Sequence, residues 1–414
     1  MINNQWKTVK FEPKASGALD GLRVLDLSRL VAGNMASLQL ADFGADVIKV
    51  EQPPNGDPLR AWKLDGIPTF WKAYGRNKRS LALDFHGKGS IDLLRQLIGS
   101  ADVLIEGFRP GTLEKMGLAP DSLLADNPKL VVLRISGFGQ TGPYSARPGF
   151  GTLVEAMSGF AHRNGESDGG PLLPPLALAD MISGVYGVSA VMMALYARNR
   201  TGHGQVIDLA LLDAMTSVLG PEAMDYQVTP RPKPRVGNGS NTSSPRNVYI
   251  TRDGHGIALS ASVQTAAQRL FTSIGRDDMN SDPRFATNVA RIAHSAEVDA
   301  IVGGWIAERT RDETMAHFET EGITAAPIYN IEDIVGDAHF IERGIYVNTP
   351  DDTLGQAAVH SPLPKLSATP GTLRRPAPEI GADTKDILRD CGLSESEIAA
   401  ALTQEIVFKS KSKN

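Results

Sequence analysis

Short apolar runs alternate with amphipathic stretches over the first half of the chain, and that alternation predicts strand–helix–strand units. Gly21 to Ser28 (GLRVLDLS) reads as a buried strand, Ala32 to Phe43 as the helix after it, and Ala45 to Glu51 (ADVIKVE) as a second strand. Such spacing implies a parallel pair joined by a right-handed crossover. Gly56-Asp57-Pro58 marks a turn, and a strand follows from Ser80 to Asp84. A helix over Gly89 to Ile98 and a strand over Ala101 to Glu106 continue the pattern. Arg109-Pro110-Gly111 leads to a short helix carrying Lys115, Asn127-Pro128 stops the next, and Lys129 to Ser136 (KLVVLRIS) is a further strand. The fold expected is α/β: an open, mostly parallel, Rossmann-like sheet in a large domain, with a smaller α+β domain.

The apolar pattern changes at Leu176-Ala177-Leu178-Ala179-Asp180, where a small-residue run extends from Met181 to Ala197. Ile182, Val185, Val188, Met192 and Leu195 recur at helical spacing. Ser183, Gly184, Gly187, Ser189, Ala190 and Ala194 keep one side narrow. This predicts a buried, closely packed helix rather than a membrane span, for which the run is short and broken by Ser and Gly. TGHGQVIDLALLDAMTSVLG, from Thr201, then gives a turn, a strand and a helix. Pro, Gly and basic residues collect between Pro221 and Pro245, a linker composition. Beyond it, strands Asn247 to Thr251 and Gly256 to Ser260 flank an Asp253-Gly254 turn, with helices over Gln264 to Ile274 and Ser295 to Glu308. The division expected is 1–220 for the large domain, 221–245 as linker, 246–325 as the small domain, 326–362 as a second linker, and 363–414 returning to the large domain. Closing helices and a frayed basic end, Lys409 to Asn414, complete the tail.

Composition removes several function classes. With 414 residues the chain exceeds one ordinary core and predicts two or three units. A net charge of −5 argues against an extended nucleic-acid surface. Cys391 is the one cysteine, so no intrachain disulfide and no cysteine-rich metal site can form. The polar stretch Met1 to Leu19 lacks the apolar core of a signal peptide, and a reducing, cytoplasmic setting is expected. His86, His162, His203, His255, His294, His317, His339 and His360 stand singly without metal spacing, and no G-x-S-x-G elbow or Walker-type loop is present.

Candidate chemistry is then confined to three features. Asp180 stands where a helix should begin, either as an N-cap accepting backbone N–H bonds or as a carboxylate nucleophile kept ionised by the helix dipole. Gly137, Gly139 and Gly142 spell G-x-G-x-x-G after a strand. Pro143 and Pro148 follow at once where the dinucleotide motif needs a helix, so a structural loop is expected rather than NAD binding. Finally, Arg29, the Arg76/Lys78/Arg79 knot, Arg109 and Lys115 recur near strand ends, where an open α/β sheet binds ligands, and suit a phosphate-rich ligand.

Ordered stretches carry a resemblance over nearly the whole chain: VLDLSRLVAG at 24–33, LADFGADVIKVE at 40–51, GDPLR at 56–60, GRNKRSLALD at 75–84, ADVLIEGFRPGTLEKMGL at 101–118, NPKLVVLRISGFGQTGP at 127–143, LADMISGVYG at 178–187, TGHGQVIDLALLDA at 201–214 and PAPEIGADT at 376–384. The sequence resembles the class III CoA-transferases, the CaiB/BaiF type that includes formyl-CoA:oxalate and carnitine CoA-transferases. The resemblance implies Asp180 as nucleophile, passing through an aspartyl anhydride and an aspartyl-CoA thioester. It places CoA contacts on Val31, Ala32, Leu83, Asp84, Phe85, His86, Gly107, Phe108, Arg109 and Lys115, with Arg29 and the basic knot beside them. It implies CoA and acyl-CoA as substrates with no permanently bound cofactor, a small carboxylic acid as partner substrate, and an interlocked homodimer. Neither nucleic acid nor membrane is implied. Gln52 stands where a basic residue follows the strand-ending glutamate in the formyl-CoA enzyme, and Ser260-Ala261-Ser262-Val263-Gln264 replaces its glycine-rich loop. His162, Arg163 and Asn164 precede the nucleophile and could contact the acceptor. Two alternatives share the motifs: a 2-methylacyl-CoA racemase and a non-catalytic CoA-binding protein. Racemases of this superfamily use a histidine in Gly-His-Asp after the glycine loop. Here the segment is Gly149-Phe150-Gly151, and phenylalanine cannot shuttle a proton.

Overall fold

The computed structural model describes residues 5–410, so the last four residues of the basic end lie outside it. Two compact units share the described residues: 5–160, 174–222 and 338–410 form one, and 161–173 with 223–337 form the other.

The larger unit is built on strands β1 (Arg23–Asp26), β2 (Asp46–Glu51), β3 (Lys78–Leu83), β4 (Val103–Glu106), β5 (Val131–Ser136) and β6 (Val206–Ala210). With β7 (Arg246–Ile250), β8 (Gly256–Ser260) and β9 (Ala325–Pro327) in the smaller unit, the remaining strands are β10 (Tyr346–Asp351), β11 (Gly355–His360) and β12 (Val407–Phe408). The large sheet runs β12-β3-β2-β1-β4-β5-β6, parallel throughout except for β12, which pairs antiparallel with β3. Its strands are apolar without interruption because both faces are covered. Val24, Val47, Val103 and Val131 face one core, while their neighbours Leu25, Ile48, Leu104 and Val132 face the other. The strand order reverses between β1 and β4, so the crevice for a ligand opens beyond their carboxyl ends.

Four helices matter for that crevice: α1 (Ala32–Asp42), α2 (Gly151–Met157), α3 (Leu178–Thr201) and α4 (Leu211–Ser217). The small residues of α3 do what their pattern implies. A Cβ on Gly184 would stand 2.9 Å from Met35 Cβ, and one on Gly187 3.2 Å from Leu133 Cδ2, so α3 lies tightly on α1 and β5. The expected full burial is corrected, because one side alone is covered within the chain, the stripe of Ser183, Gly184, Gly187, Val191, Ala194 and Leu195. Val185, Tyr186 and Met192 are exposed, and Met193 and Tyr196 keep 70% and 68% of their surface. The helix is also long and apolar enough, by length and composition alone, to cross a membrane.

In the smaller unit β7, β8 and β9 form an antiparallel sheet. Ile257, Leu259, Phe271, Phe285, Val298, Val302, Ile306 and Phe318 close its core against helices Gln264–Ser273, Ser295–Ala307 and Arg311–Thr320. The two stretches read as linkers hold regular structure. Helix Glu222–Val228 lies in the first. Helices Ile331–Gly336 and Ala338–Arg343 and the β10–β11 hairpin lie in the second.

Candidate active site

The loop after β1 is fastened from below by buried charge. Asp26, Lys49 and Lys78 are each 0% exposed, and Asp57 is buried beside them. Asp26 accepts from the Ser28 amide at 2.9 Å, from Ser28 Oγ at 2.5 Å and from Ser37 Oγ at 2.5 Å. Lys49 Nζ donates to the Ser28 carbonyl at 2.6 Å and pairs with Asp26 at 3.2 Å and Asp57 at 3.0 Å. Asp57 in turn accepts from the Leu30 amide at 3.0 Å, holding Leu30 at φ 62°, and from Asn34 Nδ2 at 2.7 Å. Burial alone would raise the Asp26 carboxyl, but the charges of Lys49 and Lys78 and two hydroxyl bonds hold it down to about 2. Lys78 shows the opposite balance, with burial outweighing Asp26 and lowering its ammonium to about 7.

This settles the basic knot. Lys78 is a member of the buried network, donating to Asn34 Oδ1 at 2.9 Å. Arg76 is buried and paired with Asp42 at 2.7 Å, and Arg79 pairs with Asp46 at 2.6 Å and with Asp390. Arg76 precedes β3 while Lys78 and Arg79 open it, so their backbones stand at the amino end of the strand and the crevice lies beyond the carboxyl ends. The expectation that they stand beside bound CoA is therefore corrected: their charges are spent within the fold.

The loop after β4 is set by the same device on a smaller scale. Buried Glu106 accepts from the Phe108 amide at 2.7 Å and from Arg134 Nε at 2.7 Å. Ser28, Arg29, Ala32 and Gly33 from the first loop and α1, Gly107, Phe108 and Arg109 from the second, and Asp180 line one cleft of about 510 Å³. Arg29, Ala32, Gly107, Phe108, Arg109 and Asp180 are thus brought together as the sequence suggests. Val31 and Leu83 are buried behind the surface. Asp84, Phe85 and His86 lie on the loop after β3, where Phe85 meets Phe108 edge-on at 6.4 Å. Gln52 organises that loop, donating to Asp84 at 2.8 Å and accepting from the Phe85 amide at 2.9 Å. Lys115 stands exposed at the end of the short helix Thr112–Lys115.

Asp180 is the third residue of α3, not its cap. Ala177 occupies the cap position and offers no side-chain bond. The free Ala179 amide instead donates to Glu155 Oε1, at 3.0 Å, from buried Glu155 on α2. Burial first, and then the negative charge of Glu155, push the Asp180 carboxyl up to about 6. The helix terminus does not cancel burial here, because a second carboxylate shares it. Gly151, the first residue of α2, lies directly against Asp180: a Cβ there would stand 2.4 Å from Asp180 Oδ2.

The glycine loop has its own purpose. Gly137 and Gly149 touch backbone to backbone, since a Cβ on Gly137 would stand 2.6 Å from the Gly149 Cα. Gly139 donates to Ser136 Oγ at 3.0 Å, and the Gln140 amide donates to the Asp208 carboxylate at 2.9 Å. An amide already held by a carboxylate does not receive a pyrophosphate, and the next helix starts only at Gly151.

The 260–264 loop and residues 161–173 belong to the smaller unit. Gln264 is used there, donating to the Ala286 carbonyl at 2.8 Å and accepting from buried Arg291 at 3.0 Å. Arg235 binds the carbonyls of His162, Glu166 and Gly169, which anchors the segment containing His162, Arg163 and Asn164. Among the described residues no cluster of His, Cys, Asp and Glu suits a metal ion. Sequence reasoning missed Glu155, Gly151 and Arg147, the last of which also lines the cleft. Their one linear signal is that all three lie between the glycine loop and Asp180.

The model of the family described as "CoA-transferase family III" matches residues 19–384. A succinyl-CoA–D-citramalate CoA-transferase of Chloroflexus aurantiacus is 35% identical over 393 residues, covering 94% of this chain and 98% of that protein. A succinate–glutarate CoA-transferase of Agrobacterium fabrum is 38% identical over 388 residues, covering 91% and 96%. The crystal structure of a CaiB/BaiF family protein from Brucella suis superposes with a TM-score of 0.79 at 34% identity, covering 91% of this chain and all of that one. A parallel sheet whose switch-point cleft holds an aspartate at the head of a small-residue helix, together with these matches, places the chain in CoA-transferase family III.

Proposed function

We propose that the protein moves CoA from a donor of the succinyl-CoA kind to a small carboxylic acid, with Asp180 as nucleophile. The observation that carries this is the Asp180 carboxylate in the same cleft as Arg29 and Arg109, two guanidiniums with no carboxylate partner among the described residues. An Asp180 oxygen attacks the thioester carbonyl, the C–S bond breaks, and CoA leaves as thiolate, giving a mixed anhydride. The thiolate then attacks the Asp180 carbonyl of the anhydride and expels the donor acid, leaving an aspartyl-CoA thioester. The acceptor carboxylate attacks that thioester, and the released thiolate takes the acceptor's acyl carbon and frees Asp180. No net proton, oxidant or metal is consumed. The relatives named as acting on succinate, glutarate and citramalate support the substrate class. Phe150 disfavours the racemase alternative, since it caps α2 where that reaction needs a base.

The exposed apolar side of α3, with Val185, Met193 and Tyr196, is a surface for a second copy of the chain, and a homodimer is part of the proposal. Trapping tests the chemistry directly. Incubation with succinyl-CoA followed by hydroxylamine should yield a hydroxamate on the Asp180 peptide alone, and only when donor is present. Undiminished CoA exchange by Asp180→Ala would end the proposal.

A further inference from the structure

Arg147 enters the cleft differently from Arg29 and Arg109. Those two follow β1 and β4 at the sheet crevice, whereas Arg147 belongs to the loop that runs from β5 to Gly151, under the Asp180 carboxylate. The loop is held rigidly. Gly137 and Gly149 close its two ends on each other, Asp208 grips the Gln140 amide, and the Arg147 amide donates to the Tyr144 carbonyl at 2.9 Å. The guanidinium lies over the Tyr144 ring, 3.8 Å from its centroid, and that ring meets Phe138 edge-on at 5.9 Å. Stacking occupies the flat face of the guanidinium and leaves its N–H edge free for a forked bond to a carboxylate. None of the described carboxylates pairs with it. Glu155, and no arginine, is the charge that acts on the nucleophile. Arg147 is therefore a cation that shares the nucleophile's cleft without being the nucleophile's partner.

We propose that Arg147 is a specificity-determining residue that binds the remote carboxylate of a dicarboxylic acyl group or acceptor while the near carboxyl reacts at Asp180. This rests on the CoA-transfer reading above. Arg147 is exposed at the cleft, so dicarboxylates gain a charge-assisted forked bond that monocarboxylates of the same length cannot make.

The test compares wild type, Arg147→Met and Arg147→Lys as full-length enzyme. CoA exchange is measured from butyryl-CoA to glutarate and to pentanoate, with calorimetric titration of glutarate alongside. Arg147→Met should raise the KM for glutarate by about 10- to 100-fold, with a smaller effect on kcat, and weaken glutarate binding in parallel. The preference for glutarate over pentanoate should fall by the same factor, and Arg147→Lys should recover part of it. An unchanged preference overturns the proposal, as does a rise in the KM for butyryl-CoA whichever acid is used, since that assigns Arg147 to CoA. Trapping on Asp180 with succinyl-CoA as donor separates the two readings: adduct formation with unchanged preference removes only the role of Arg147, and a wild type that forms no adduct and exchanges no CoA from succinyl-CoA either removes both.

Discussion

Replacing Gly151 with alanine should slow the enzyme without unfolding it. The ideal Cβ falls 2.4 Å from Asp180 Oδ2 and 3.4 Å from its Cγ, and the next neighbour is Ala179 Cβ at 3.8 Å. Carbon and oxygen tolerate roughly 3.0 to 3.4 Å, so the carboxylate must retreat by about 0.6 to 1 Å. What gives way is the end of a flexible side chain, not backbone. Gly151 also carries no left-handed φ that alanine would strain, and alanine is the better helix former by about 1 kcal/mol. Stability should hold or rise slightly while the nucleophile leaves its line of attack, a misplacement that costs on the order of 10²-fold in rate. Gly149→Ala supplies the contrast. Its Cβ would stand 2.7 Å from the Gly137 Cα, so backbone must move and the melting temperature should fall. Steady-state exchange kinetics with thermal unfolding of both variants decide the matter. A Gly151→Ala enzyme with wild-type kcat and unchanged melting temperature would show that Asp180 need not occupy the position described.

The remaining predictions concern charge. Because the nucleophile must be ionised, kcat/KM should fall as pH drops through about 6; Glu155→Gln, which keeps an acceptor for the Ala179 amide but removes the charge, should move that limb to lower pH. Asp180 is held well above its ordinary 3.8, so the folded state is penalised as pH rises from 3.8 through about 6 and the penalty is complete above that. Asp180→Asn should accordingly be more stable at pH 7.5, by at most about 3 kcal/mol in urea unfolding, with the gain gone below pH 3.8. Lys49→Met leaves Asp26 and Asp57 buried with Lys78 as the one remaining cation, and should cost about 3–5 kcal/mol; a loss under about 1 kcal/mol would show that the network is not what secures the loop.

The large sheet was legible because strands covered on both faces write themselves as unbroken apolar runs, and Val24-Leu25 or Val131-Val132 leave no alternative. The β10–β11 hairpin was not, since Pro350 interrupts one strand and the polar Asn348 and Thr349 are buried there beside Val347, which removes the alternation that marks a strand. Lysines mislead for a related reason. Lys49 and Lys78 stand in strands whose neighbours are core residues, but a cation in a sequence reads as solvent-facing until its partners are known, and Asp26, which both approach, lies far from either along the chain. Asp180 was singled out by family pattern, its environment was not. Glu155 and Gly151 meet Asp180 only because α2 folds against the start of α3.

Two aspartates in one unit mark the limits of what burial does to a carboxylate. Asp26 has two ammonium groups and is held near 2; Asp180 has only another carboxylate and rises to about 6. The absence of a fixed cation at Asp180 fits the chemistry proposed for it. A permanent guanidinium would lower its basicity and, with it, its strength as a nucleophile. It would also make Asp180 the better leaving group of the mixed anhydride. With its basicity raised above that of an ordinary carboxylic acid, at about 4, the substrate carboxylate is the group that departs when thiolate attacks. In the proposed sequence of steps this basicity favours breakdown of the anhydride toward aspartyl-CoA and free donor acid over return to the starting thioester. At neutral pH the same group remains mostly ionised, so the basicity that directs the second step does not starve the first.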